Sequence, residues 1–184
     1  MIRVYYSPHA ASVDNEAGRA SGHADIPLSE KGLQKAAELG RHYEAIRLDA
    51  VYCSDLQRAY VTSQIAFSAR KIPIIPDARL REFDYGEMTQ CPREELGLEQ
   101  HITEPFPKGE SIQMAVARVG DFLRETLPLV DGKTIVVIGH VATKYGIEYW
   151  SSEKSLEDVV GMQWEWLEVP IWRYVFDVPM MRLE

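Results

Sequence analysis

The chain has 184 residues, of which 46% are hydrophobic and 26% charged, and carries a formal net charge of −8. This suits one globular domain, residues 1–184, with a real core. The acidic balance excludes a general nucleic-acid or membrane-surface binder, because surfaces that track phosphate need a basic excess. No apolar run is long enough to cross a bilayer.

In chain order, the first predicted strand is Ile2–Tyr6, and His9 follows it. Ser29 reads as the N-cap of a helix whose inward face is Leu33, Ala36, Ala37, Gly40 and Tyr43. Asp49–Cys53 is the second strand. Ser54-Asp55-Leu56-Gln57 then reads as a capping box opening a helix with Arg58 in its first turn. Ile72–Ile75 is the third strand, and Glu82 follows it. The segment Tyr85–Lys108 holds three prolines and weak periodicity, which predicts a long loop or small excursion over the sheet. Ile112, Val116, Val119, Leu123 and Leu127 form an apolar stripe at helical spacing. Thr134–Ile138 is the fourth strand and leads into His140. The stretch Met162–Val178 carries Trp164, Trp166 and Trp172 and contains a fifth strand, Trp172–Phe176. Such a stretch usually packs in a core or on an edge strand, and it could also form the contact of a homodimer. Strands alternating with helices predict an α/β fold: a three-layer α/β/α sandwich around a mainly parallel sheet.

Cys53 and Cys91 are the only cysteines. They read as free thiols of a reducing compartment, and with no signal peptide before the first strand the expectation is a cytoplasmic protein.

Four side chains are the candidates to carry chemistry. In an open α/β sheet, ligands bind at the carboxyl ends of the strands, and His9, Arg58, Glu82 and His140 all follow strands. Imidazole can act as nucleophile, base or cation near neutrality. Arg58 at a helix start combines free N–H groups, a favourable dipole and a guanidinium fork, which suits an anion. Glu82, flanked by apolar residues, is a candidate acid. Singly, each has an ordinary reading as a structural or surface residue, and Arg58 would as readily pair with Asp55 or Glu82. Together they fit phosphoryl transfer through a phosphohistidine. Neither a Gly-x-x-x-x-Gly-Lys-Ser/Thr loop nor a Gly-x-Ser-x-Gly elbow occurs. His23, His42 and His101 lack metal-ligand spacing, so no metal site is expected.

With these residues in order, the chain resembles the histidine phosphatase superfamily, the phosphoglycerate mutase-like proteins, over nearly its whole length. The resemblance is carried by His9, Ser12 and Asn15; by Gly18-Arg19-Ala20-Ser21-Gly22; by Ser54-Asp55-Leu56-Gln57-Arg58-Ala59; by Leu80-Arg81-Glu82 with Tyr85-Gly86-Glu87; by Pro107-Lys108-Gly109-Glu110-Ser111; and by Gly139-His140. It implies that His9 takes the phosphoryl group and that His140 stabilises it. Arg58 and Asn15, with Ser21 and Gly22 from the glycine-rich loop, would bind the substrate, and Glu82 would protonate the leaving alkoxide. Water would then hydrolyse the phosphohistidine, with no cofactor or metal. The implied activity is a phosphomonoesterase on a small phosphorylated metabolite. The chain is shorter than the family's mutases, which places phosphatase above phosphoglycerate mutase-type transfer.

The resemblance breaks at the first motif, where Arg-His-Gly reads Pro8-His9-Ala10. Proline supplies neither the charge nor a backbone N–H. Val141 also stands where glycine is frequent, and Ser21 where many relatives carry glutamine. Three explanations follow. Another cation substitutes, with Arg19, Arg81 and Lys144 as the candidates. Or the substrate presents its phosphoryl group differently. Or the protein is an inactive phosphate-compound-binding or regulatory protein on the same fold.

Overall fold

The computed structural model describes residues 1–162 and 170–177; Trp164 and Trp166 lie outside the described residues. Strands β1 (Ile2–Pro8), β2 (Ala50–Cys53), β3 (Ile74–Pro76), β4 (Thr134–Gly139) and β5 (Trp172–Phe176) form a sheet in the order β3-β2-β4-β1-β5. The first four run parallel, and β5 pairs antiparallel with β1 at the edge. All five expected strands are therefore present. The third starts later than the sequence suggested, because Pro73 has no N–H to give the ladder.

Every residue of β4 is buried, which explains its unbroken apolar run. Side chains alternate across a strand, so Ile135 and Val137 pack with Val4, Tyr6, Phe122 and Leu123 on one face. Val136 and Ile138 pack with Leu39, Tyr43, Val51 and Phe67 on the other. Helices α2 (Glu30–His42) and α3 (Gln57–Phe67) cover the second face, and α4 (Ile112–Thr126) and α5 (Val141–Ser151) cover the first; α1 (Val13–Glu16) and α6 (Leu156–Gly161) are short. The result is the expected α/β sandwich. Trp172 packs against Tyr6 with ring centroids 5.7 Å apart, so this tryptophan serves edge-strand packing.

Some local expectations are corrected. Ser29 caps α2 by accepting from Gly32 N at 3.0 Å, but the buried face is Gly32, Ala36, Leu39 and Tyr43. Leu33 is 44% exposed and Ala37 is also exposed. The helix is turned because Gly32 lies against the Ala11 carbonyl, so close that a Cβ would stand 2.0 Å from it. The Ser54 capping box does not form. Residue Leu56 is the N-cap of α3 and offers no side-chain bond. Instead Gln57 N donates to Asp25 Oδ1 at 2.7 Å, a cap supplied from a distant loop.

The segment between Tyr85 and Lys108 is a packed excursion built of short 3-10 turns. Phe83, Tyr85, Leu96 and Phe106 form an aromatic core with Ile112 and Val116 of α4 and Tyr145 of α5. It thus leans on the helices beside the sheet rather than over the sheet itself. Gly86 makes this possible: its φ is +51°, and a Cβ there would meet Pro107 O at 2.1 Å, so only glycine fits. Cys53 and Cys91 are free thiols, and burial pushes the Cys53 thiol up to about 11. Among the described residues, no helix is long and apolar enough to cross a membrane.

Candidate active site

The register of the sheet creates the site. Parallel strands β1 and β4 pair Pro8 with Gly139, so the next residue on each strand is a histidine at the same edge. His9 N donates to Gly139 O at 2.9 Å, extending the ladder one step. The two imidazoles face each other with centroids 4.8 Å apart.

Each ring is held differently. His9 Nδ1 lies 2.7 Å from Ala10 O; a proton on Nδ1 makes that bond and leaves Nε2 as a free lone pair. Burial lowers the His9 pKa to about 3, with the Arg58 charge adding to the effect and Arg93 contributing further. His140 is 1% exposed. Burial holds its pKa well below the usual histidine range, and His9 and Arg58 push the same way. Its backbone is fixed by Tyr6 Oη donating to its carbonyl at 2.7 Å and by Thr143 Oγ1 accepting from its N–H at 3.1 Å. Both His140 ring nitrogens and the Ser21 hydroxyl are buried without a hydrogen-bond partner among the described residues. Such groups cost about 1–3 kcal/mol each, and they concentrate where a polar ligand would satisfy them.

Arg58, on the first turn of α3, is 1% exposed. Its Nη1 donates to Ala24 O at 2.9 Å and its Nη2 to Gly22 O at 2.8 Å. Thr62, one turn along, accepts from Ala10 N at 3.0 Å and donates to Arg58 O at 2.6 Å. This ties the His9 loop to α3. Asn15 forms a reciprocal cap with Ser12: Asn15 Oδ1 accepts from Ser12 N at 3.0 Å. That bond orients the amide and leaves both Asn15 N–H groups to offer a ligand.

Glu82 Oε1 accepts from Ala142 N at the start of α5 at 3.0 Å and from Phe83 N at 3.1 Å. The sequence suggested an apolar surround, but Phe83 points into the aromatic core, and backbone donors meet the carboxylate instead. Arg118 from α4 clamps this stretch, donating to the carbonyls of Arg79, Arg81 and Glu82 at 2.7–2.9 Å. Its other partner is Glu110, at 2.6 Å.

Two adjoining cavities, of 340 and 290 Å³, share His9, Asn15, Glu82, Arg93 and Val141. Pro8 and His140 border the first, and Arg58 and Ser21 the second. Six of the seven expected site residues thus meet around one space. Gly22 borders neither cavity; it orients Arg58 through its carbonyl. Its φ of +50°, with Tyr85 Cδ2 3.0 Å from where a Cβ would be, favours glycine there.

The profile of the histidine phosphatase superfamily (branch 1) matches residues 4–163. The chain belongs to that superfamily. It is 31% identical over 150 residues to phosphoserine phosphatase 1 of Hydrogenobacter thermophilus, across 76% of this chain and 71% of that protein. It is 28% identical over 190 residues to the probable phosphoglycerate mutase GpmB of Salmonella arizonae, across 91% and 88%. Among solved structures, Bacillus stearothermophilus YhfR superimposes with a TM-score of 0.84 at 24% identity, covering 98% of this chain and 94% of that one.

For a histidine phosphatase whose nucleophile candidate follows a proline, the neighbouring cations matter. None of the three named from sequence serves. Arg81 makes a two-pronged pair with Asp55 at 2.8 and 2.6 Å. Lys144 borders neither cavity; its Nζ lies in an aromatic box, 4.0 Å from the Trp172 ring centre and 3.0 Å from Tyr174 Oη, and 3.4 Å from Glu148 Oε1. Arg19 bridges through its backbone to Pro92 and borders neither cavity. Sequence reasoning missed Arg93, Arg118 and Thr62. Nothing local marks them, since their places depend on contacts between distant segments. Among the described residues, no cluster of three or more His, Cys, Asp or Glu side chains is placed to hold a metal.

Proposed function

We propose that this protein is a phosphomonoesterase that hydrolyses a small phosphorylated metabolite through a phosphohistidine. The observation that carries the reading is the facing pair His9 and His140, 4.8 Å apart, on a cavity that Glu82 and Asn15 also border. The membership in the histidine phosphatase superfamily and the phosphoserine phosphatase relative support it.

In this reading His9 Nε2, neutral and unprotonated, attacks phosphorus. The N–P bond forms as the bond to the leaving oxygen breaks. The free Glu82 oxygen, protonated at this stage, gives its proton to that leaving oxygen. Arg58, the Asn15 amide and a His140 N–H hold the oxygens whose charge builds in the transition state. Glu82, now a carboxylate, takes a proton from a water that attacks phosphorus on the other side. The N–P bond breaks, orthophosphate leaves, and His9 returns to its neutral form. The cavity wall of Ala20, Leu96, Leu98 and Tyr145 would receive the leaving group.

The test is release of orthophosphate from an aryl phosphate together with acid-labile, base-stable labelling of the protein. Both should disappear in His9→Ala. Turnover that survives His9→Ala would overturn the mechanism. Pro8 favours a second reading, a binder that holds phosphate compounds without cleaving them. A ligand that raises the melting temperature and is recovered intact would select it.

A further inference from the structure

We infer that Arg93 is the second cation of the phosphoryl site, reaching the phosphate oxygens from the excursion beside the pocket and supplying the charge that Pro8 does not. This rests on the phosphomonoesterase reading above.

Arg93 borders both cavities that meet at His9. Its backbone is tied down beside the segment that runs from Asn15 of α1 to Ser21. Arg93 N donates to Gly18 O at 2.9 Å, Ala20 N to Cys91 O at 3.0 Å, and Gln90 N to Ala20 O at 2.7 Å. Arg19 and Pro92 bridge at the same place. The Gln90 amide also donates to the buried Asp14 carboxylate, beside Asn15. The origin of the side chain is therefore fixed at the cavity wall, and the residue is exposed.

The head is uncommitted. Arg58, Arg79, Arg81 and Arg118 all spend guanidinium donors on carbonyls or carboxylates. Arg93 spends none among the described residues, although Glu94 and Glu95 adjoin it. Its charge is nevertheless felt at the nucleophile, where it helps keep the His9 ring neutral.

Charge balance gives the need. A phosphomonoester near neutral pH approaches a double negative charge. Among the described residues Arg58 is the only other arginine bordering these cavities, and two of its nitrogens already donate to Ala24 and Gly22; Lys35, which borders the first cavity, is paired with Glu38 at 2.6 Å. The Ala10 N–H is likewise taken, by Thr62. A planar fork with five free donors answers the remainder.

The experiment measures kcat and KM for an aryl phosphate, and the affinity for orthovanadate by calorimetry. It uses the full chain and the variants Arg93→Ala, Arg93→Lys, Pro8→Arg and the Pro8→Arg/Arg93→Ala double. Arg93→Ala should lower kcat/KM by about ten- to a hundredfold and weaken vanadate by a similar factor, the value of a charge-assisted contact. Arg93→Lys should recover part of both. The double variant should recover more than Arg93→Ala alone, because charge returns from the end of β1; a merely structural role would show no such rescue. Turnover and vanadate affinity both unchanged in Arg93→Ala, while His9→Ala is dead, would overturn this inference and leave the phosphatase reading standing. So would a fall in kcat/KM for the aryl phosphate with no change for vanadate, since Arg93 would then be acting on the leaving group. If the wild type binds vanadate through Arg93 but cleaves no ester, the inference holds and the phosphatase reading falls. If it does neither, both fall.

Discussion

At the scale of single residues, the site is defined by two imidazoles kept neutral. For His9, burial dominates and the Arg58 charge adds to it, bringing the pKa from 6.5 to about 3. A neutral ring is what a nucleophile needs, and stability must depend on pH in consequence. As pH falls below 6.5 the unfolded chain takes up a proton that the folded ring refuses until about 3. This contribution to stability is therefore intact above 6.5 and is lost progressively toward 3; His140, lowered in the same direction, adds to the slope. Urea denaturation at about pH 7 and about pH 5 should show the wild type losing more stability than the His9→Gln/His140→Gln variant. Equal losses would remove the histidines as the cause.

At the scale of elements, the segment before Glu82 is positioned by α4. Arg118 satisfies three carbonyls and pairs with Glu110, whose own Oε1 also accepts from Asp84 N at 3.0 Å. The pair is mostly buried, with 19% and 13% of the side chains exposed. Arg118→Met would leave Glu110 charged and unpaired, costing about 2–4 kcal/mol, between the values for exposed and fully buried pairs. It should lower kcat more than it raises KM, because Glu82 is displaced while Arg58 is not. Glu110→Gln in the same chain should restore part of the stability measured by urea, since no orphaned charge remains. This level also shows how far sequence reaches. The five strands and the α4 stripe were legible because their patterns are local: runs of branched and aromatic residues, and apolar positions at helical spacing. The cap of α3 was not, because Asp25 supplies it from a separate loop. The α2 face was misjudged because the Gly32–Ala11 contact turns the helix.

At the scale of the whole molecule, what brings the site together is strand order. His9 and His140 meet because β1 and β4 are neighbours, a non-local pairing no window of sequence displays; the residues alone offered the shared strand-end position, and the family resemblance supplied the rest. Arg93 was invisible for the same reason, since the bridge beside it joins two loops from different parts of the chain. A cavity walled by β1, α1, α2, α3, α5 and the excursion cannot survive in the unfolded chain, so an oxyanion bound there must stabilise the whole fold. At a ligand concentration about a hundred times its Kd, the gain is about 2.7 kcal/mol. In a chain of this length that corresponds to a rise in Tm of roughly 5–10 °C. Orthovanadate should produce that shift in a thermal scan of the wild type, and a smaller one at the same concentration in Arg58→Ala or Arg93→Ala. Sulfate at equal ionic strength serves as the control for general salt effects. A shift of the same size in all three proteins would place the anion elsewhere on the surface and detach the cavity from phosphate recognition.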